Sequence, residues 1–320
     1  MALLSNAFAT YEAIGNREDL SDMIYRIDPT DTPLMSAVET EKASAVNHEW
    51  QTQALAAASG SNAVVEGNEY AATAVTPTVR LGNIAQISTK TAAVTGTQQA
   101  VRHAGRENEM DYQAMLKGME LKRDMETVLF GTNQAKSAGS DSAARNTASV
   151  LSWIKSNTSK GSAGGAADPS AADGTGTRTD GTQIGFTEAR LKTVLSSIWT
   201  NGGKPNLIST GAFNKQAFST FTGRATPIEN TSSKKITASV DAYESDFGRL
   251  KVAPDRFQRS RDVLVLETDK WAVAYLNGRK FVSLPIARTG DTEKRMILSE
   301  YTLVARNEKA SGGVFDNTTS

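Results

Sequence analysis

Residues 43–94 place the strongest constraint on the fold. SAVNHEWQTQ runs out and TVRLGNIAQISTKTAAV runs back, both β-like, around a soft tip of Ala, Ser, Gly and Asn between Ala54 and Thr76. Read as a hairpin with legs over 43–60 and 76–94, each leg holds about 15 residues and reaches about 50 Å at ~3.3 Å per residue. A compact body of 320 residues has a radius of gyration near ~20 Å. Two strands alone are marginally stable in water. An arm that long exceeds what its own domain can bury, so it is expected to lie on a neighbour.

The rest of the composition permits a large core: 39% of residues are hydrophobic and 22% charged, the balance of a soluble globular protein. The 35 basic and 35 acidic residues cancel, so no bulk field points to nucleic acid or an anionic membrane. Cysteine is absent, which removes disulfides, thiolate nucleophiles and zinc–thiolate sites and fits a reducing cytoplasm. The start lacks a basic n-region, its apolar run is too short for a signal peptide, and no stretch reaches the roughly 18 apolar residues of a membrane span. The layout of charge is uneven. Residues 1–42 carry eight acids against Arg17, Arg26 and Lys42, net −5; residues 43–89 are −2 and the remainder +7. A solvated face accounts for such a run, and the sharper reading is an acidic arm that docks on a basic surface of another copy.

Residues 1–40 read as an arm. EAIGNREDLSDMIYRI has helical apolar spacing (Leu20, Met23, Ile24, Ile27), with stops expected at Asp28-Pro29 and Thr32-Pro33. Residues 107–130 hold no Pro and place Met110, Ala114, Leu121, Met125 and Val128 on one stripe of a helix about 36 Å long. Gly118 lies in that stripe, where it would admit another backbone, and Gly131 is the expected C-cap. From 132 to 184 the composition collapses to Gly, Ala, Ser, Thr and Asp around VLSWIKSN, and KGSAGGAADPSAADGTGTRTDG reads as a flexible, protease-sensitive loop. TEARLKTVLSSIWTNGG is a helix capped by Thr187 and ended by Gly202; PNLIST is a short strand and GAFNKQAFSTF a second helix. The remainder is mostly β, with DVLVLE, KWAVAYL, an Asn277-Gly278 hairpin turn, KFVSLPI and MILSEYTLVAR.

Chemistry is hard to find. The two histidines, His48 and His103, are far apart, and His48 alternates in a strand beside Trp50. No G-x-S-x-G, Walker-type or strand-placed G-x-G-x-x-G motif occurs. Asp168, Asp173 and Asp180 match no calcium-loop spacing, and ordinary loop solubility explains them. Arg256, Arg259 and Arg261 could grip phosphate, but Asp255 and Asp262 flank them, so salt bridges between subunits compete. What is sharply specified is shape: AYESDFGRLKVAPDRF is a hairpin with its turn at Ser245-Asp246-Phe247-Gly248 and a stop at Pro254.

Arm, projecting hairpin, strut helix, mixed lobe and closing β-section, in that order, resemble a tailed-bacteriophage major capsid protein of the HK-97-like family. The resemblance is carried by TYEAIGNREDLSDMIYRIDPTDTPLMSAV, HEWQTQAL, LKRDMETVLFGTN, VLSWIKSN, LSSIWTNGGKPNLISTGAFNKQAFSTFTG and VDAYESDFGRLKVAPDRF. It implies an α+β fold with an N-terminal arm (1–40) and an extended loop (41–96). The spine-helix part of a peripheral domain (97–131), much of an axial domain (132–232) and a β-sheet shared by the two lobes (233–320) follow. It implies no enzyme and no cofactor, but self-assembly through pentamers and hexamers into an icosahedral shell around double-stranded DNA. A portal, and separate scaffolding and decoration proteins, are the further partners; assembly is expected in the host cytoplasm, away from membranes. The arm starts within a few residues of Met1, so scaffolding is expected from a separate protein. Charged candidates for contacts between subunits are Glu18, Asp19 and Asp22 on the arm, Glu66, Glu69 and Arg80 on the loop, and Arg249, Lys251, Arg256, Arg259 and Arg261 around the hairpin. Gly248 and Pro254 would fix the hairpin's shape. Some capsids of this fold are cross-linked by a loop lysine attacking a neighbour's asparagine. Residues 43–89 contain Asn62, Asn68 and Asn83 but no lysine, so a non-covalent lattice is expected. The competing readings are a tail or decoration protein, and a hydrolase using carboxylates such as Glu244 and Asp246.

Overall fold

The computed structural model describes residues 29–69, 72, 74–102, 105–221 and 242–319. The amphipathic stretch before Asp28, with Glu18, Asp19 and Asp22, lies outside the described residues, as does His103. The described chain enters through a short helix, α1 (Pro33–Ala37), and strand β1 (Glu39–Ala43). A hairpin, β2 (Asn47–Thr52) and β3 (Val79–Ile84), is followed by β4 (Gln86–Thr95), α2 (Gly96–Ala100) and the long helix α3 (Glu109–Glu126). The middle holds α4 (Val150–Trp153), β5 (Thr158–Ser159), α5 (Glu188–Thr200), β6 (Leu207–Thr210) and α6 (Ala212–Ser219). The chain closes with β7 (Ala242–Ser245), β8 (Gly248–Pro254), β9 (Val263–Leu266), β10 (Trp271–Leu276), β11 (Val282–Ile286), β12 (Thr292–Ala305) and β13 (Gly312–Val314).

Two sheets organise this α+β body. In one, β12 is the hub: β4 pairs along one edge, while β10 and β11 share the other and β1 joins β10 in parallel. The second runs β5-β13-β9-β6-β8-β7. Its central strands are buried on both faces. Leu264 and Leu266 of β9 enter a core with Phe130, Trp153, Trp271 and Tyr301, and Val263 and Val265 enter another with Leu191, Leu195, Ile198 and Phe218 of α5 and α6. Two-sided burial is why VLVL is an unbroken apolar run rather than an alternating one. Helix α3 begins where the Asn108 side chain accepts from the Asp111 N–H at 3.1 Å, with Glu109 and Asp111 complementing the positive end of the helix. Thr187 caps α5 in the same way, as its sequence implies.

Several expectations change. The β2–β3 ladder has six residue pairs, about 20 Å of strand, not 50 Å. Its return leg breaks at Ala85, and β4 leaves the loop to pair with β12. Thr32-Pro33 starts a helix instead of ending one, because proline's missing N–H costs nothing at the first helical position. Residues 33–43 are body rather than arm: Leu34 is fully buried and β1 is part of the sheet. The Asn277-Gly278 turn joins strands that are not paired with each other; β10 and β11 lie end to end on β12. Pro254, by contrast, is the last residue of β8, as expected of a stop, and lies opposite Thr210 of β6. Gly118 faces open space, with no backbone near it. Gly131 is no left-handed cap. It closes a π-helical turn, Thr127–Gly131, and a Cβ there would stand 2.1 Å from the Phe257 carbonyl oxygen.

Candidate assembly surfaces

The extended loop is rooted by aromatic packing. Trp50 of β2 lies with its ring 5.5 Å from that of Trp153 on α4, and its Nε1 donates to the Ala305 carbonyl at 3.0 Å. His48, two residues earlier on the same face, stands 3.6 Å from Glu41. Arg306 bonds Glu41 and also reaches Glu39 at 2.6 Å, so the loop base and β1 are cross-braced. Among the described residues between Thr52 and Val79 the loop has no strand pairing, and it holds Leu55 97% exposed, Val75 87% and Val65 77%. Glu66 and Glu69 are exposed on it, and Arg80 makes a 3.5 Å pair with Glu49 across the ladder.

The β7–β8 hairpin turns at Gly248 with φ +139°, a conformation that L side chains rarely adopt. Glu244 lies opposite Arg249, and Ala242 opposite Lys251. Arg249, Lys251 and the turn residue Asp246 are exposed. Phe247 at the tip packs on Trp199 of α5, ring centres 5.5 Å apart, and Trp199 remains 58% exposed. This hairpin is integrated into the six-stranded sheet through β6, which fixes its angle to the body.

The arginine cluster after the hairpin divides. Arg256 is exposed. Arg259 bonds Asp180 at 2.5 Å and approaches Asp262 at 3.4 Å; Arg261 reaches Asp316 at 2.8 Å and Asp180 at 3.2 Å. These contacts run to the Gly-rich segment 161–181, which composition marks as loose. The structure clamps it. Arg178, 4% exposed, lies 3.5 Å over the Phe315 ring, bonds Asp168 at 2.5 Å and donates to the Ile154 carbonyl at 2.7 Å. Lys160 takes the other Asp168 oxygen, and Asp316 accepts from Gly161 and Gly181 at 3.1 and 2.9 Å. Burial alone would raise the Asp168 carboxyl, but the Lys160 bond and the Arg178 charge hold it below its ordinary value. Burial pushes Asp262 up to about 6 against the pull of Arg259 and Arg178. Sequence reading missed this clamp. Its visible signal was Arg178, a lone base among small polar residues.

Other candidates find ordinary surroundings. Asp173 accepts from the Thr175 hydroxyl and amide, Asp168 and Asp180 pair with cations, and no metal-holding cluster occurs among the described residues. Among those residues no helix is long and apolar enough to cross a membrane. Lys42 and Lys90 sit in the body sheet, opposite Tyr275 and Ile297, and Lys90 is paired with Asp124 at 2.7 Å.

Comparison with known proteins agrees with this architecture. Residues 5–318 match the model of a family described as SU10 major capsid protein. The major capsid protein of Escherichia phage Phieco32 is 28% identical over 342 aligned positions that cover 96% of each chain. Among solved structures, the capsid of a native GTA particle superposes with a TM-score of 0.64 at 11% identity, covering 99% of this chain and 100% of that one. The cyanophage A-1(L) capsid superposes at 0.61 with 12% identity, covering 99% and 100%. Superposition on these capsid chains over nearly their full length bears out the capsid fold expected from the sequence.

Proposed function

Because the chain belongs to the SU10 major capsid protein family, and so is a tailed-phage major capsid protein and a virion component, we propose that its copies form an icosahedral shell of pentamers and hexamers around double-stranded DNA. One observation carries the reading of how they join. The loop 53–78 displays Leu55, Val65 and Val75 as exposed side chains among the described residues, and burial of such side chains on an adjacent copy recovers ~25 cal/mol per Å². In this reading Glu66, Glu69, Arg80, Arg249, Lys251 and Arg256 meet neighbouring subunits, with Glu18, Asp19 and Asp22 on the arm. Arg259 and Arg261 instead hold the 161–181 segment. The body divides into a peripheral part built on the spine helix α3, within 97–131, and an axial part within 132–232, with the later strands shared. Contact with DNA is non-specific, as the neutral net charge leaves it. A portal and separate scaffolding and decoration proteins complete the partners; assembly takes place in the bacterial cytoplasm, and the chain has no catalytic role.

The test is deletion of residues 1–28, which stops short of the buried Leu34 and of β1. Electron microscopy of the full chain should show shells, tubes or capsomers, and the truncated chain should be folded but poor at assembly. Normal shells from the truncated chain, with unchanged salt sensitivity, would refute the arm's role. Small discrete particles from the full chain would refute the shell.

A further inference from the structure

Helix α1 is attached to the body in an unusual way. Its first turn has no side-chain cap of its own. Instead, the Leu34 and Met35 amides donate to the two carboxylate oxygens of Glu126, at 2.8 and 2.9 Å, from a residue 92 positions away at the end of α3. Glu126 is fully buried, and Leu34 packs beside Leu121, Met125 and Leu129 of the same helical stretch. A second buried carboxylate, Asp255 in the turn after β8, is near enough to repel it. We infer that docking of α1, and with it the root of the N-terminal segment, is coupled to uptake of a proton at Glu126. This holds for the single chain, whether or not it builds a shell.

Glu126 is fully buried where Leu34 packs against the end of α3, its two oxygens face the Leu34 and Met35 amides, and no cation donates a hydrogen bond to it among the described residues, while the buried Asp255 carboxylate lies nearby. Burial is the largest influence and raises the carboxyl; the Met35 and Leu34 amides oppose it, Asp255 reinforces it, and Lys122 on the same helix opposes it, leaving Glu126 up at about 7. The other charges around it have different tasks. Arg123 donates to the Pro29 carbonyl at 3.4 Å, Lys251 lines the groove beside Pro33 and Ser36, α1 carries no ionisable side chain, and Asp31 ahead of it is exposed.

The direction follows from linkage. Undocking α1 exposes Glu126 to water, where its carboxyl returns toward 4.5. The docked state therefore holds its proton more tightly, and undocking releases it. Docking is firmest in mild acid and loosens as pH rises from about 4.5 to about 7, above which both states are ionised and the effect levels off. Across that span of about 2.5 pH units the opening constant rises about 300-fold.

Hydrogen exchange of the full chain between pH 5 and 8, read at peptides covering Leu34 and Met35 and corrected for intrinsic rates, tests this directly. The wild-type opening constant should rise about tenfold per pH unit up to about 7 and then flatten. Glu126→Gln should remove the slope, whatever the absolute level of protection. Asp255→Asn, which leaves both amide bonds in place, should keep the slope but move the plateau to lower pH. A flat wild-type profile would overturn the inference. So would a Glu126→Gln profile as steep as wild type, or loss of the slope in Asp255→Asn alone.

Discussion

Replacing Arg178 by Met should loosen a segment that composition alone marks as already loose. The substitution keeps most of the stem and removes the guanidinium. That deletes the 2.5 Å pair with Asp168, the 2.7 Å bond to the Ile154 carbonyl and the stacking over Phe315. Breaking a buried ion pair on one side costs about 3–5 kcal/mol. Asp168 is 19% exposed and keeps Lys160, so its unpaired charge is partly relieved and the lower end applies, about 3 kcal/mol. Asp168→Asn should be nearly as harmful, since it strands a guanidinium whose side chain is 2% exposed. The double substitution should cost at least about 1 kcal/mol less than the sum of the two. Urea unfolding of the free subunit measures these losses, and limited proteolysis reports segment 161–181, which should be slow to cut in wild type and fast in Arg178→Met. The pH dependence has a definite sign. Asp168 titrates below its unfolded value of 3.8 in the folded chain. Its contribution is full above that pH and is lost as pH falls through the folded value, and Arg178→Met should flatten this acid limb. A loss below 1 kcal/mol, with cleavage of 161–181 as fast in wild type as in the variant, would refute the clamp.

Two glycines, Gly118 within α3 and Gly131 in the turn that follows it, should respond in opposite ways. Gly118→Ala meets open space and should stabilise the free subunit by up to about 1 kcal/mol; normal folding with failed assembly would show that a neighbour approaches there. Gly131→Ala drives a methyl into the Phe257 carbonyl and should lower the thermal midpoint sharply, so an unchanged midpoint would refute that close approach. Mature particles boiled in denaturant should run as one band near 34.1 kDa, because Lys42 and Lys90 are committed to the body sheet and no lysine lies on the loop between them. A ladder of covalent oligomers would show an unforeseen donor.

Most regular elements were legible in the chain itself. Thr187 and the Leu191, Val194, Leu195, Ile198 stripe specify α5, and the helical stripe from Met110 to Val128 specifies α3, because capping and 3.6-residue periodicity are local properties. The hairpin about Gly248 is likewise local, since only glycine readily accepts its backbone. Pairing beyond a hairpin is not. Asn277-Gly278 writes a turn equally well whether its strands pair with each other or lie in line on β12, and the choice belongs to β12, whose edge is long enough for both. The length of the loop ladder was decided in the same way, when β4 found a better partner in the body than in its own hairpin. Nor can composition reveal that a Gly- and Ser-rich segment is held by Arg178 and Asp316, or that Glu126 caps a helix 92 residues before it. Charge on one side chain carries no address. Its partner is set by which backbone happens to bring an opposite charge or a free amide within about 3 Å in a site too dry to leave either unpaired.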